Sequence, residues 1–109
     1  MNLYIDTVNS EKIMVAVVIG RKKLEEIASF SKDRSQAVLP LIEMILMKYN
    51  RKLSDITAIQ VAPGPGSYTG IRVGLAVANA LSVLLSVPIN GQPPGTLPSG
   101  VYKHIPFRL

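Results

Sequence analysis

Ala62-Pro63-Gly64-Pro65-Gly66-Ser67-Tyr68-Thr69-Gly70-Ile71-Arg72-Val73-Gly74 joins a short β-rich run, Thr57 to Ala62, to a long apolar run that reads as a helix from about Ser67 to Leu85. The chain must turn sharply between the two. Gly64 and Gly66 supply backbone that can take φ > 0 or come close to another group, while Pro63 and Pro65 fix the φ angles around them. Ser67 or Thr69 can cap the helix, whose free N–H groups make an anion-tolerant end. The loop therefore reads in two ways, as a phosphate or nucleotide contact or as a tight strand-to-helix turn. It is not a Walker loop, because no Lys-Ser/Thr pair follows the glycines, and the G-x-G-x-x-G spacing is absent as well.

The helix that follows carries a separate signal. Gly70, Gly74, Ala78 and Ser82 recur at i, i+4 and form a ridge of small residues. Glycine inside a helix costs roughly 1 kcal/mol against alanine, so a close approach is expected at that ridge. Ile71, Val73, Leu75, Val77, Leu81, Val83, Leu84 and Leu85 spread apolar groups around the rest, and a helix apolar nearly all round is buried nearly all round. An earlier stretch poses the same problem. Ser35 is a candidate N-cap; Ala37, Val38, Leu39, Leu41, Ile42, Met44, Ile45, Leu46, Met47 and Tyr49 are apolar; Pro40 falls near the first turn; and Asn50 with Arg51 and Lys52 closes the helix. Two such helices on one sheet either bury one another or leave apolar surface for a partner.

Upstream, Asn2 to Asp6 and Lys12 to Ile19 read as strands, and Gly20-Arg21-Lys22 is a hairpin signal. Lys23 to Phe30 returns as a third strand, although Glu25 and Glu26 also fit a helical turn. Val87 to Asn90 is a fifth short strand. From Gly91 the run Gly-Gln-Pro-Pro-Gly-Thr-Leu-Pro-Ser-Gly cannot propagate a helix or fill a central strand. A lobe over 1–90 followed by a partly irregular tail over 91–109 is expected. Three strands, helix, strand, helix, strand imply an α/β lobe: a mixed five-stranded sheet with two helices packed on it. That order resembles the ribonuclease-H-like lobe of the sugar kinase, Hsp70 and actin superfamily.

With 109 residues the chain is one domain's worth, and its 48% hydrophobic and 17% charged residues argue against disorder. No apolar stretch reaches the ~18 unbroken residues of a membrane span, and Asp6 interrupts what could have been a signal-peptide core. The absence of cysteine excludes disulfides and thiolate metal sites, which is compatible with the cytosol. The only histidine, His104, has no second His, Cys or paired carboxylate nearby to build a metal site. No Ser-His-Asp or H-E-x-x-H pattern supports protease chemistry. A net charge of +5 favours an RNA-associated process. Along the chain, however, the cations are scattered: Arg21, Lys22 and Lys23 in a turn, Lys48, Arg51 and Lys52 at a helix end, Lys103 and Arg108 in the tail. Without a basic stripe interleaved with aromatics they read first as solubility and helix-end complementarity.

Gly64 to Gly74 closely resembles the G-P-G-S-F-T-G-[LIV]-R-[LIV]-G signature of TsaB-like (YeaZ-like) proteins, with Tyr68 a mild aromatic exchange. Tyr4-Ile5-Asp6-Thr7 resembles that family's opening I-D-T strand, and Ser35-Gln36-Ala37-Val38-Leu39-Pro40 its [ST]-x-x-[LI]-L-P helix start. The resemblance covers about residues 2–91, the family's N-terminal lobe only. It implies an actin-like ATPase-superfamily lobe that has no catalytic residues of its own. It implies a cytoplasmic partner subunit for a TsaD-like catalytic subunit, which with a TsaE-like ATPase transfers threonylcarbamoyl to the adenosine beside the anticodon of tRNA. Such a subunit meets tRNA only indirectly. Its pairing surface is the two helices, here Leu39, Ile42, Met44 and Ile45 with Gly70, Ile71, Arg72, Gly74, Leu75, Ala78 and Ser82, and the same face serves a homodimer when the subunit is alone. Asp6, Gly64, Gly66, Ser67 and Thr69 are the matching nucleotide-loop positions. Family members usually continue into a second lobe, so no cofactor is expected and ATP only with an opposing lobe or partner. Arg34 stands where the family often has His. Two alternatives are a nucleotide-binding or ATP-hydrolysing lobe and a self-associating homodimeric lobe.

Overall fold

The computed structural model describes residues 1–9, 11–29, 37–66, 68–96 and 98. The candidate caps Ser35 and Ser67, together with Arg34, Lys103, His104 and Arg108, lie outside the described residues. Strands β1 (Asn2–Asp6), β2 (Lys12–Ile19), β3 (Lys22–Ser29) and β4 (Ala58–Val61) form one sheet in the order β3-β2-β1-β4. The β2–β3 hairpin closes on Gly20-Arg21, with Ile19 opposite Lys22 and Gly20 at φ +64°, a conformation glycine takes without a Cβ penalty. Glu25 and Glu26 pair with Ala16 and Val15, so the strand reading of this stretch holds over the helical turn. β1 runs antiparallel to β2 and parallel to β4.

Helices α1 (Val38–Lys48) and α2 (Tyr68–Leu85) lie side by side on one face of that sheet, α1 over β2 and β3, α2 over β1 and β4. Period-two alternation decides which strand residues they cover. Leu3, Ile5, Ile13, Val15, Val17, Ile59 and Val61 are buried beneath the helices, in one core with Val38, Ile42, Ile45, Ile71, Leu75 and Ala78. The opposite face carries Asn2, Lys12, Lys23, Glu25 and Gln60, all exposed, around half-buried Tyr4 and Met14. Pro40 sits in the first turn of α1, where no backbone donor is needed. The helix ends in a Schellman motif: Asn50 adopts φ +53°, its N–H donates to the Met47 carbonyl, and the Arg51 N–H donates to the Leu46 carbonyl.

The sheet has four strands rather than five. Ile89 forms a single parallel bridge to Ile59, with the Ile59 N–H donating to the Pro88 carbonyl and the Asn90 N–H to the Ile59 carbonyl. The ladder stops there because Pro88 has no N–H and the chain turns at Asn90 and Gly91, both with positive φ. Asn90 then completes the edge with its side chain: Oδ1 accepts from the Val61 N–H at 2.8 Å and Nδ2 donates to the Val61 carbonyl at 3.1 Å. One amide thus does the work of the missing strand residue.

Candidate functional site

The loop after β4 is held against the chain leaving β1. A Cβ on Gly66 would overlap the Val8 side chain and lie 2.7 Å from its carbonyl oxygen, so no larger residue fits there without moving the chain at Val8. Thr69 follows, exposed, in the first turn of α2. Asp6 points to the helix-free face of the sheet, where its Oδ1 accepts the Val8 N–H at 3.0 Å in an Asx turn. Beside it lies an open cavity of about 260 Å³ lined by Asp6, Asn9, Lys12, Met14 and Glu25. Small-molecule sites run to roughly 300–1,000 Å³, so this space is small for a nucleotide. Asp6 and the loop share the same end of the sheet, but Gly64, Gly66 and Thr69 do not line the cavity at Asp6. Among the described residues no three His, Cys, Asp or Glu side chains come together to hold a metal.

The two helices separate the expected pairing residues into two sets. Leu39 and Met44 are about half exposed, and Arg72 is exposed. Ile42, Ile45, Gly70, Ile71, Gly74, Leu75, Ala78 and Ser82 are buried within the chain's own core. The small-residue ridge turns inward, not toward a partner. A Cβ at Gly74 would collide with the Thr7 hydroxyl and come within 3.4 Å of Val61. Thr7, wholly buried, donates to the Gly70 carbonyl, and Ser82, also wholly buried, donates to the Val87 carbonyl at 2.6 Å and accepts the Gly95 N–H at 3.1 Å. The glycines of the ridge let α2 lie on β1 and β4 at backbone distance, with the buried hydroxyls of Thr7 and Ser82 both satisfied.

What faces outward instead is a different set. On α1 it is Leu39, Met44 and Met47, the last 81% exposed; on α2 it is Arg72, Ala76, Ala80, Val83 and Leu84, the last 72% exposed. Leu53, in the 3-10 turn Leu53–Asp55 after α1, adds to the exposed apolar residues. Met47, Val83 and Leu84 were not among the expected pairing residues. A helix apolar all round gives periodicity no phase, and the only clue to phase, the glycines, had a second explanation in the chain's own sheet. No described helix is long and apolar enough to cross a membrane.

Residues 26–91, more than half of the chain, match the family model TsaD: tRNA N6-adenosine threonylcarbamoyltransferase. The chain is 37% identical over 60 residues to the tRNA threonylcarbamoyladenosine biosynthesis protein TsaB of Buchnera aphidicola subsp. Schizaphis graminum, covering 55% of this chain and 29% of that protein. It is 35% identical over 60 residues to the TsaB of Escherichia coli, covering 55% of this chain and 26% of that one. The match thus spans under a third of the length of these curated relatives. Among solved structures, YeaZ from Pseudomonas aeruginosa superimposes with a TM-score of 0.75 at 28% identity, over 81% of this chain and 41% of that one. With a half-buried Asp6 and a buried Thr7 at the end of β1, a glycine loop seated beside them and two helices on a mixed sheet, the chain belongs to the TsaD family and forms a lobe of the TsaB/YeaZ kind.

Proposed function

We propose that this lobe is a non-catalytic partner subunit in threonylcarbamoyl transfer to tRNA, docking on a TsaD-like catalytic subunit in the cytoplasm through the outward arcs of α1 and α2. The observation that carries the reading is the set of exposed apolar side chains on two adjacent helices: Leu39, Met44 and Met47 on α1, Val83 and Leu84 on α2. Isolated exposed apolar residues are ordinary, but five on neighbouring helices of so small a domain are more apolar exposure than solubility needs, which favours an interaction site. Met and Leu with small Ala76 and Ala80 between them suit helix-on-helix packing, since alanine lets a second helix come close. The names of the similar proteins, all in tRNA threonylcarbamoyladenosine biosynthesis, support the choice of pathway.

The burial of the ridge changes which substitutions test this. Gly74→Glu or Ala78→Arg places charge in the chain's own core and unfolds the lobe. Leu84→Glu and Met47→Glu place it on the outward arc. Co-purification with the organism's own TsaD-like protein is expected to be lost in either variant while the circular dichroism spectrum stays that of the wild type. Binding at wild-type strength by both variants sinks the helix-face reading. A nucleotide-binding role is tested separately by calorimetric titration with Mg-ATP, for which heat above background at millimolar ligand would count in favour.

A further inference from the structure

The cations that look scattered along the chain are gathered by the fold. Arg21, Lys22 and Lys23 sit at and just after the β2–β3 turn; Lys48, Arg51 and Lys52 sit at and just after the end of α1. The topology brings these two groups to one end of the molecule. Lys23 lies in register with Val18, Asn2 and Ala58, so the hairpin tip, the start of β1 and the start of β4 share one edge. Because α1 leads into β4, its C-terminus returns to that edge, where the Thr57 N–H donates to the Met1 carbonyl. Half of the chain's twelve Lys and Arg residues therefore occupy an edge about 15 Å wide, four strands at ~4.8 Å spacing. All six are exposed. Three carboxylates accompany them: Glu25 on Lys23 at 3.2 Å, Glu26 on Lys48 at 2.7 Å, and Asp55, whose Oδ2 accepts the Lys52 backbone N–H at 2.8 Å. The edge keeps a positive excess. The opposite end of the sheet carries Asp6, Glu11 and Lys12.

Complementing the negative end of the α1 dipole accounts for Lys48, Arg51 and Lys52 but not for Arg21, Lys22 and Lys23, which belong to a hairpin. We propose that this basic edge is a second interaction surface, adjoining the helix arcs at Met47 and Lys48, that contacts the phosphate backbone of RNA without reading bases. Phosphate rather than an acidic protein is the fitting partner for two reasons. Among the described residues the exposed large apolar side chains next to these cations are Leu53 and Met47, the latter belonging to the helix arcs, so the edge itself offers few of the buried anchors that dominate protein interfaces. The two aromatic rings there are already covered by the chain's own cations, Lys23 at 5.2 Å from the Tyr4 centroid and Lys48 at 5.8 Å from that of Tyr49. Covered rings offer no platform for bases, and point charges on flexible stems meet phosphates. The choice of RNA among polyanions rests on the tRNA-modification reading; the surface itself does not.

The test is fluorescence anisotropy of the whole chain with a labelled unmodified tRNA transcript, titrated between 50 and 300 mM KCl. Arg21→Ala/Lys22→Ala is expected to weaken binding roughly tenfold and to lower the slope of log K against log salt by about 2, one for each lost phosphate contact. Arg51→Ala/Lys52→Ala is expected to do the same, whereas Lys12→Ala at the opposite end leaves both unchanged. Leu84→Glu keeps tRNA binding while losing the catalytic partner, which separates failure of this surface from failure of the helix arcs. Wild-type affinity and slope in both double variants overturn the proposal, as does an absence of tRNA binding by the wild type at 50 mM salt. Loss of the TsaD-like partner with RNA binding intact also overturns it, and assigns the edge to an acidic protein surface instead.

Discussion

Gly74 and Thr7 set how close α2 lies to the sheet. Replacing Gly74 with Ala brings the better helix former, a gain of about 1 kcal/mol, but puts a methyl group into the Thr7 hydroxyl that already donates to Gly70. Overpacking of this kind costs about 1–3 kcal/mol, so a net loss is expected, read as a lower urea midpoint. A Gly74→Ala protein at least as stable as wild type would mean the approach is looser than it looks. Asn90 makes a second residue-scale prediction. Asn90→Ala leaves the Val61 N–H and carbonyl without their side-chain partners, at a cost of about 1–3 kcal/mol. Hydrogen exchange at the Val61 amide should rise. Asn90→Gly, which tolerates the φ of +49° at this position, should show the same exchange defect, tracing it to the lost amide and not to backbone strain.

At the scale of elements, α1 is tied to the β3 edge by Lys48 and Glu26, 2.7 Å apart. The hydrogen bond to Glu26, and then its charge, raise the Lys48 pKa above its ordinary 10.5. A raised folded-state pKa stabilises the fold fully below 10.5, and the contribution is lost as pH climbs through the folded value. The urea midpoints of wild type and Glu26→Gln should therefore differ by a constant small amount from pH 7 to 10 and converge above 10.5. The pair is exposed, so the difference is that of a surface ion pair and shrinks with salt. The outward arcs behave oppositely to the core. Leu84→Glu and Met47→Glu are expected to change stability by under about 0.5 kcal/mol, because those side chains touch little in the lobe alone. A large loss of stability there would place these residues in the core after all.

Taken whole, the molecule has a covered face and a helix-free face, an apolar helix surface and a basic edge. If the arcs of α1 and α2 also serve self-association, light scattering at tens of micromolar should report a dimer that Leu84→Glu converts to monomer. A strict monomer in the wild type leaves the arcs to a different partner. The basic edge is at the hairpin end and the glycine loop at the other, and Met47 of the helix arcs adjoins Lys48 of the edge, so a partner on the helices and a polyanion at the edge lie side by side.

Much of the architecture is legible in the sequence because it is set by local chemistry. Alternation marks β1 and β2, Gly20-Arg21 marks the hairpin, and the Pro-Gly run marks the turn into α2. The signature from Gly64 to Gly74 is likewise a sequence property, since the close seat of Gly66 on Val8 tolerates no side chain. Which way a uniformly apolar helix faces is not local. Gly70, Gly74, Ala78 and Ser82 look as suited to a partner as to the chain's own sheet, and only the position of Thr7 and Val61 decides for the sheet. The fifth strand was lost for the same kind of reason, because a single Asn90 amide satisfies the edge that another strand would have paired. Charge works the same way. Arg21 and Arg51 are thirty residues apart in sequence and share one edge only because β4 starts beside β1. Periodicity and turn chemistry act over a few residues and are written in the sequence; facing, edge completion and charge clustering depend on contacts between distant segments, which exist only once the chain has folded.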